Sequence, residues 1–349
     1  MRLRGWVGLL LLAQGCAPKV PLQGMPEGGR PVAFREAVTL GGHRQWVMAR
    51  GMDAAKPILL FLHGGPGAPT MGLAHAFQAE LEKDFVVVQW DQRGSGKSLP
   101  GTPPGSMTVA RFQADTHELV LWLKQRFRRE RIYLLGHSWG SYLGLWEARL
   151  HPENLWAYIG TGQMVDLVAQ ERRSHAFVTA WARETGKGKA LARLAAVGEP
   201  PYRDAVKGMD LKYGLLWEAG GMLDGETGPA PFVKALLRSP DYSCVDLVRF
   251  VRGGSFSLKH LARNEGEAFW HLKAPDPGTP FQVPIGFITG DRDRVTSPAL
   301  LADYVTRLQA PLVRSLQVEG AGHFAFFTHP KAFAAALREI QQGVGTITR

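Results

Sequence analysis

Two short runs, residues 56–62 and 85–90, are apolar along almost their whole length. A strand with one wet face alternates apolar and polar residues. A strand that does not alternate is buried on both faces, as in a mostly parallel sheet covered by helices on each side. The same strand-length signal returns at 132–135, 158–161, 283–289 and 312–318. Helical patterns separate most of these runs. Thr108 is placed to cap one that carries Val109, Phe112, Leu119, Leu123 and Phe127 towards the sheet, and others cover 72–81, 141–150, 298–308 and 331–340. Strand and helix in alternation, with right-handed crossovers, predict an α/β fold with a doubly wound sheet. Extended runs at 33–40 and 43–50 flank Gly41-Gly42 and add a hairpin.

The alternation is interrupted. Between about 163 and 280 the patterns are helical (165–182, 189–197, 205–223, 231–237, 245–252), with no buried-strand run. The expected division is a core over 32–162 and 281–349 with a helical cap over 163–280. The chain has 349 residues, longer than the roughly 250–300 at which one core stops growing, so an insertion of this size is needed. At 45% hydrophobic and 21% charged, the composition excludes disorder, and 2 cysteines exclude a disulfide scaffold.

The N-terminus reads as an export leader. Arg2 and Arg4 precede an apolar run, 6–13, too short to span a bilayer but right for the middle of a secretory signal. It leads into Ala13-Gln14-Gly15-Cys16, which resembles the lipobox of bacterial lipoproteins. That resemblance implies removal of 1–15, lipidation of Cys16, a membrane anchor at the cell envelope, and a Pro- and Gly-rich tether over 16–31. Loss of Arg2 and Arg4 takes the net charge from +10 to +8. Cys244 is then left without a disulfide partner.

The chemistry sits where strands end. Gly136-His137-Ser138-Trp139-Gly140 follows the 132–135 strand and opens a helix, the context in which a Gly-x-Ser-x-Gly turn presents a nucleophile. His63-Gly64-Gly65-Pro66-Gly67 ends the 56–62 strand and offers unencumbered backbone N–H groups to an oxyanion. Asp293 follows the 283–289 strand, with Asp291 as the rival acid, and His323 follows 312–318. Ser, Asp and His occur in that order, each after its own strand, so all three are expected at one sheet edge. Gly94-Ser95-Gly96-Lys97-Ser98 lacks the full phosphate-loop spacing, which argues against nucleotide binding. No metal-ligand spacing is apparent, and neither metal nor cofactor is expected.

Three motifs in order carry a resemblance: His63-Gly64-Gly65-Pro66-Gly67, then Asp91-Gln92-Arg93-Gly94-Ser95-Gly96-Lys97-Ser98, then Gly136-His137-Ser138-Trp139-Gly140. The chain resembles α/β-hydrolases of the proline iminopeptidase-like group over about 33–162 and 283–340. The resemblance implies Ser138 as nucleophile, His323 as base and Asp293 as its orienting acid. It also implies an oxyanion hole from the N–H groups of Trp139 and Gly65, with Gly64 the alternative donor. Asp91, Arg93 and His63 are expected to brace loops, and His137 is expected not to reach Ser138.

In that group, glutamates of the cap bind a substrate amine. Leu215-Leu216-Trp217-Glu218-Ala219-Gly220 is similar to the group's Trp-Glu-Gly stretch, which implies Glu218, while Asn264-Glu265-Gly266-Glu267 does not reproduce the second acidic position. Phe250, Phe256, Phe269 and Trp270 are candidates for an apolar pocket, or for packing of cap on core. The expected function is a serine hydrolase of small amides or esters, with short peptides as the most specific substrate. An esterase or thioesterase without amine recognition and a non-catalytic binding protein are the alternatives. Partners are a small molecule or short peptide and the envelope membrane, and nucleic acid is excluded.

Overall fold

The computed structural model describes residues 30–223, 225 and 227–347. The leader, Cys16 and nearly all of the tether lie outside those residues. In chain order the elements begin with β1 (Val32–Leu40), β2 (His43–Gly51), β3 (Ile58–Leu62), α1 (Ala74–Phe77), α2 (Ala79–Glu82) and β4 (Val86–Asp91). Next come α3 (Val109–Phe127), β5 (Ile132–His137), α4 (Trp139–Leu150) and β6 (Leu155–Thr161). A stretch that is helical among the described residues follows: α5 (Leu167–Glu184), α6 (Gly188–Val197), α7 (Ala205–Glu218), α8 (Ala230–Leu237) and α9 (Cys244–Glu265). The chain closes with β7 (Ile285–Gly290), α10 (Pro298–Val305), β8 (Val313–Val318), α11 (Ala325–Thr328) and α12 (Pro330–Ile347).

The strands form one 8-stranded sheet in the order β1-β2-β4-β3-β5-β6-β7-β8. The β1–β2 and β2–β4 pairs are antiparallel, and every pair from β4–β3 to β7–β8 is parallel. The doubly wound sheet expected from the apolar runs is present. In β3, Ile58, Leu60 and Leu62 join the core on one face while Leu59 and Phe61 join the core on the other, which is why the run shows no alternation. At the edge, β8 is exposed or half-buried except for Val318. No helix among the described residues is long and apolar enough to cross a membrane.

Two segments depart from the expected pattern. Residues 72–81 form a 3₁₀ turn (Met71–Leu73) with the short α1 and α2, in place of one helix. The chain there wraps a buried polar ladder: Thr70 Oγ1 donates to Gln89 Oε1 (2.7 Å), Gln89 Nε2 to Gln78 Oε1 (2.9 Å) and Gln78 Nε2 to Glu82 Oε1 (2.8 Å). Helix α9 runs for 22 residues, straight through Gly253-Gly254, where the sequence suggests a stop near 252. A capping box starts it, with Ser243 Oγ accepting from Asp246 N–H and the Asp246 carboxylate accepting from Ser243 N–H. Gly253 is a contact point: a Cβ on it would come within 3.1 Å of the Gly94 carbonyl oxygen and of Ser95 Cα. The missing side chain costs about 1 kcal/mol of helix propensity and permits α9 to lie directly on the loops after β3 and β4.

Candidate active site

Strand β5 ends at His137 and α4 begins at Trp139, so Ser138 alone makes the turn. Its φ of 53° and ψ of −119° lie where a side chain is strained, a conformation that persists only when the surroundings over-determine it. Gly140 supplies part of that constraint. A Cβ there would collide with the Leu62 carbonyl, so glycine lets the first turn of α4 press against the end of β3. Ser138 is half-buried, and its side chain makes no capping bond to the helix that follows. Trp139 is the first residue of α4, whose N–H has no acceptor within the helix.

The turn after β3 is held by His63 and Gln92. The Gln92 N–H donates to His63 Nε2 (3.1 Å), which leaves the ring proton on Nδ1 to donate to the Gly64 carbonyl (2.8 Å). Complete burial pushes the His63 pKa down to about 4, so the ring stays neutral as this arrangement requires. The Gln92 side chain spans the two halves of the site, donating from Nε2 to the His63 carbonyl (3.0 Å) and accepting from Trp139 Nε1 (3.2 Å). The backbone N–H groups of Gly65 and Trp139 donate to no backbone acceptor among the described residues.

After β7, Asp293 is buried and saturated. Its Oδ1 accepts from the N–H groups of Val295 (2.8 Å) and Thr296 (2.9 Å), and its Oδ2 from Thr296 Oγ1 (2.7 Å) and His323 Nδ1 (2.8 Å). A carboxylate in this setting accepts from His323 and so places the proton on Nδ1, leaving Nε2 as the free base. Asp291 is exposed, and Asp293 is the acid in contact with His323. His137 holds the far side of the same loop: its Nε2 lies 3.0 Å from the His323 carbonyl, and the two rings sit 4.6 Å apart. Burial and the neighbouring His323 hold the His137 pKa well below the usual histidine range. Ser138, Asp293 and His323 thus come from β5, β7 and β8 to one edge of the sheet, although Ser138 and His323 are not hydrogen-bonded to each other.

Beneath these loops, Arg93 and Asp115 form a buried bidentate pair, with Nε to Oδ2 at 2.5 Å and Nη2 to Oδ1 at 2.9 Å. Asp91 Oδ2 accepts from the Lys97 N–H (2.8 Å) and from Tyr242 Oη (2.7 Å), so this aspartate ties its own loop to the segment leading into α9. Burial pushes the Asp91 pKa up to about 7. Lys97 Nζ in turn pairs with Asp246 on α9 (2.5 Å).

The helical stretch also grips the histidine loop, because the His323 N–H donates to the Met222 carbonyl (3.0 Å). Trp217 stacks on Phe324 (6.4 Å between centroids), and Phe232 packs on Phe324 (5.3 Å) and Phe327 (5.5 Å). Of the four aromatic residues expected at a pocket, Phe250 joins this group through Phe232 (6.3 Å). Phe269 and Trp270 pack on each other, Trp270 also packs on Tyr202, and Phe256 packs on His260. Glu218 is exposed and lines a surface cleft with Lys187, Lys189 and Arg193. Successive residues of a helix point about 100° apart, so α7 turns Trp217 towards Phe324 and Glu218 elsewhere. Deeper in this layer Lys212 Nζ meets Glu171 Oε1 at 2.5 Å, with both side chains fully buried. Burial lowers the Lys212 pKa, while Glu171 and Asp293 oppose that shift.

Residues 57–190 match the alpha/beta hydrolase fold family. A probable aminopeptidase of Bacillus subtilis (strain 168) is 31% identical over 313 residues, 88% of this chain and 96% of the relative. The chain belongs to the alpha/beta hydrolase family. This hydrolase is proline iminopeptidase-like within it. It is 32% identical over 147 residues to the proline iminopeptidase of Xylella fastidiosa (strain 9a5c), 40% of this chain and 45% of that one. Among solved structures it is similar to a proline iminopeptidase-related protein from Thermus thermophilus, with a TM-score of 0.61 and 23% identity over 90% of this chain and 99% of that one. The proline iminopeptidase of Mycobacterium smegmatis gives a TM-score of 0.64 at 20% identity, with 90% and 99% covered. These two structural likenesses establish the shared fold of the hydrolase.

Proposed function

We propose that this hydrolase cleaves small amides or esters through an acyl-enzyme formed on Ser138. His323 Nε2 takes the proton from Ser138 Oγ as the oxygen attacks the acyl carbonyl, and returns it to the leaving amine or alcohol. Water, deprotonated by the same nitrogen, then releases the acid and restores the serine. Asp293 holds the imidazole in the required tautomer. The N–H groups of Gly65 and Trp139 receive the oxyanion, the turn that presents them being held by His63 and Gln92. The buried Asp293–His323 pair at 2.8 Å, on the sheet edge where Ser138 is held in its strained turn, carries this reading. The open Ser138–His323 geometry is compatible with it, since such contacts commonly tighten only in the substrate complex.

Short peptides with a free amino terminus are the most specific substrates in this reading, supported by the aminopeptidase-named relative that this chain matches over nearly its full length. The exposed position of Glu218 favours a second reading, an esterase or thioesterase without recognition of the amine at that residue. Helices α5–α9 act as the cap in either case, with Trp217, Phe232 and Phe324 as the apolar wall. Export and anchoring at Cys16 belong to the same proposal; labelling by a lipid precursor that is lost in Cys16→Ser tests them.

The deciding experiment compares proline-, alanine- and other aminoacyl-arylamides with short-chain aryl esters, using the unaltered chain and Ser138→Ala. The expected result is cleavage that falls by about 10⁶-fold in Ser138→Ala. Cleavage of esters alone sinks the aminopeptidase reading. No turnover of either class, with no labelling by an active-site serine probe, sinks the catalytic one.

A further inference from the structure

At the far end of α4, a second cluster stands apart from the hydrolytic site. His117 from α3 and Glu147 and His151 at the end of α4 each offer a ligand atom, and these atoms all lie within 4.8 Å of one another. Residues 138 and 151 are separated by about 20 Å along the helix at 1.5 Å per residue, so the cluster has no part in the acyl chemistry. It lines a surface cleft of about 340 Å³ that also includes Gln113, Glu118 and Leu143. The Glu147 side chain is only 3% exposed, and its one ion-pair partner among the described residues is His117, whose Nδ1 lies 2.9 Å from Oε1. The His117 and His151 rings stack at 3.6 Å, with His117 26% and His151 35% exposed at the side chain.

A carboxylate this deep costs several kcal/mol in desolvation unless a cation compensates it. Glu153 and Glu118 add negative charge nearby. Lys124, the nearby cation, donates to Asn154, and Glu118 is engaged by Arg111 and the Gly41 N–H.

We propose that His117, Glu147 and His151 form a site for a divalent transition metal, with Zn²⁺ as the best match. Two imidazoles and a carboxylate are an established zinc donor set, and imidazole-rich sites hold the later first-row metals most strongly. Ligand atoms around a tetrahedral Zn²⁺ stand about 3.3 Å apart, given bond lengths of about 2.0–2.1 Å. Contraction from the present spacing needs only side-chain rotation, because His151 follows the last turn of α4 and both histidines are part-exposed. His151 caps the end of α4, its N–H donating to the Glu147 carbonyl (2.8 Å), and α3 brings His117 over both. The cleft leaves the fourth position open to water or to a small anionic ligand. Bound there, the metal links α3 to α4, the helix that begins at the nucleophile turn.

The test uses the untagged, chelator-stripped chain carrying Cys244→Ser, which removes an exposed free thiol as a competing zinc ligand. Titration with Zn²⁺ against a chromophoric chelator is expected to give one ion per chain with a Kd of about 1 µM or tighter. His117→Ala and His151→Ala should each weaken it by at least about tenfold. The pair of substitutions should abolish it, with aryl-ester or arylamide hydrolysis unchanged. Co²⁺ gives an independent readout on the chain with both histidines: intense visible bands of a four-coordinate nitrogen–oxygen site support the proposal. Zinc binding unaffected by the double substitution, no stoichiometric binding at about 100 µM, or a six-coordinate water-like Co²⁺ spectrum overturns it.

Discussion

The core side and the helical side of the candidate active site are built by different physics. On the core side, short buried polar contacts fix each group: His63, Gln92, Trp139, Asp293 and His323 all have a defined partner within 3.2 Å. On the helical side, aromatic faces such as Trp217 on Phe324 and Phe232 on Phe327 dominate, and these tolerate rearrangement far better than a hydrogen bond does. In the proposed mechanism, chemistry that depends on tenths of an ångström resides in the core and selection among substrates in the helical layer. Function within one family can diverge by altering the second side while the first stays intact.

The largest effect that can break this comparison belongs to the core side. Asp293→Asn keeps the volume and loses the tautomer control of His323, and kcat should fall by about 10⁴ with little change in KM. A fall of less than tenfold would remove Asp293 from the mechanism. Next comes the contact that crosses between the two sides. Asp91, raised from 3.8 to about 7 by burial, binds its proton more tightly in the folded chain than in the unfolded one. Its contribution to stability is therefore complete below about pH 4 and is lost as pH rises through 7.

Denaturant unfolding from pH 5 to 8 should show the unaltered chain losing stability relative to Asp91→Asn, by on the order of 2 kcal/mol across that window. A difference that is flat with pH would mean that burial does not raise the Asp91 pKa in the folded chain. The smallest effect is on the outer face: Glu218→Gln should leave kcat/KM for aminoacyl-arylamides within about twofold. A selective rise in KM for substrates with a free amine, with aryl esters unaffected, would bring Glu218 back into recognition.

How much could be read from the residues follows the same division. Buried strands announce themselves by unbroken apolar runs, and the Gly-x-Ser-x-Gly turn is local, so β3, β4 and the Ser138 elbow were legible. Asp293 and His323 were legible because each lies just past a strand. Gln92 was not, since its role depends on reaching both His63 and Trp139, which a linear motif does not encode. Gly253-Gly254 misled because a glycine pair reads as a break, whereas here it accommodates another backbone. Trp217 and Glu218 show the limit of motif likeness: adjacent letters on a helix face different ways, and only packing decides which one meets the site. The His117, Glu147 and His151 cluster was invisible for a related reason, as its members come from two helices.

The contact of α9 with the loops of the core has a consequence for anyone recombining this protein with its relatives. A graft that exchanges residues 163–280 as a module would set a foreign helix on Gly67, Gly94 and Lys97. Those residues meet Gly253, Ser257 and Asp246 of the native one. The unit of exchange that preserves catalysis is therefore discontinuous: α9 travels with the loops after β3 and β4, and Phe232 of α8 with Phe324 and Phe327.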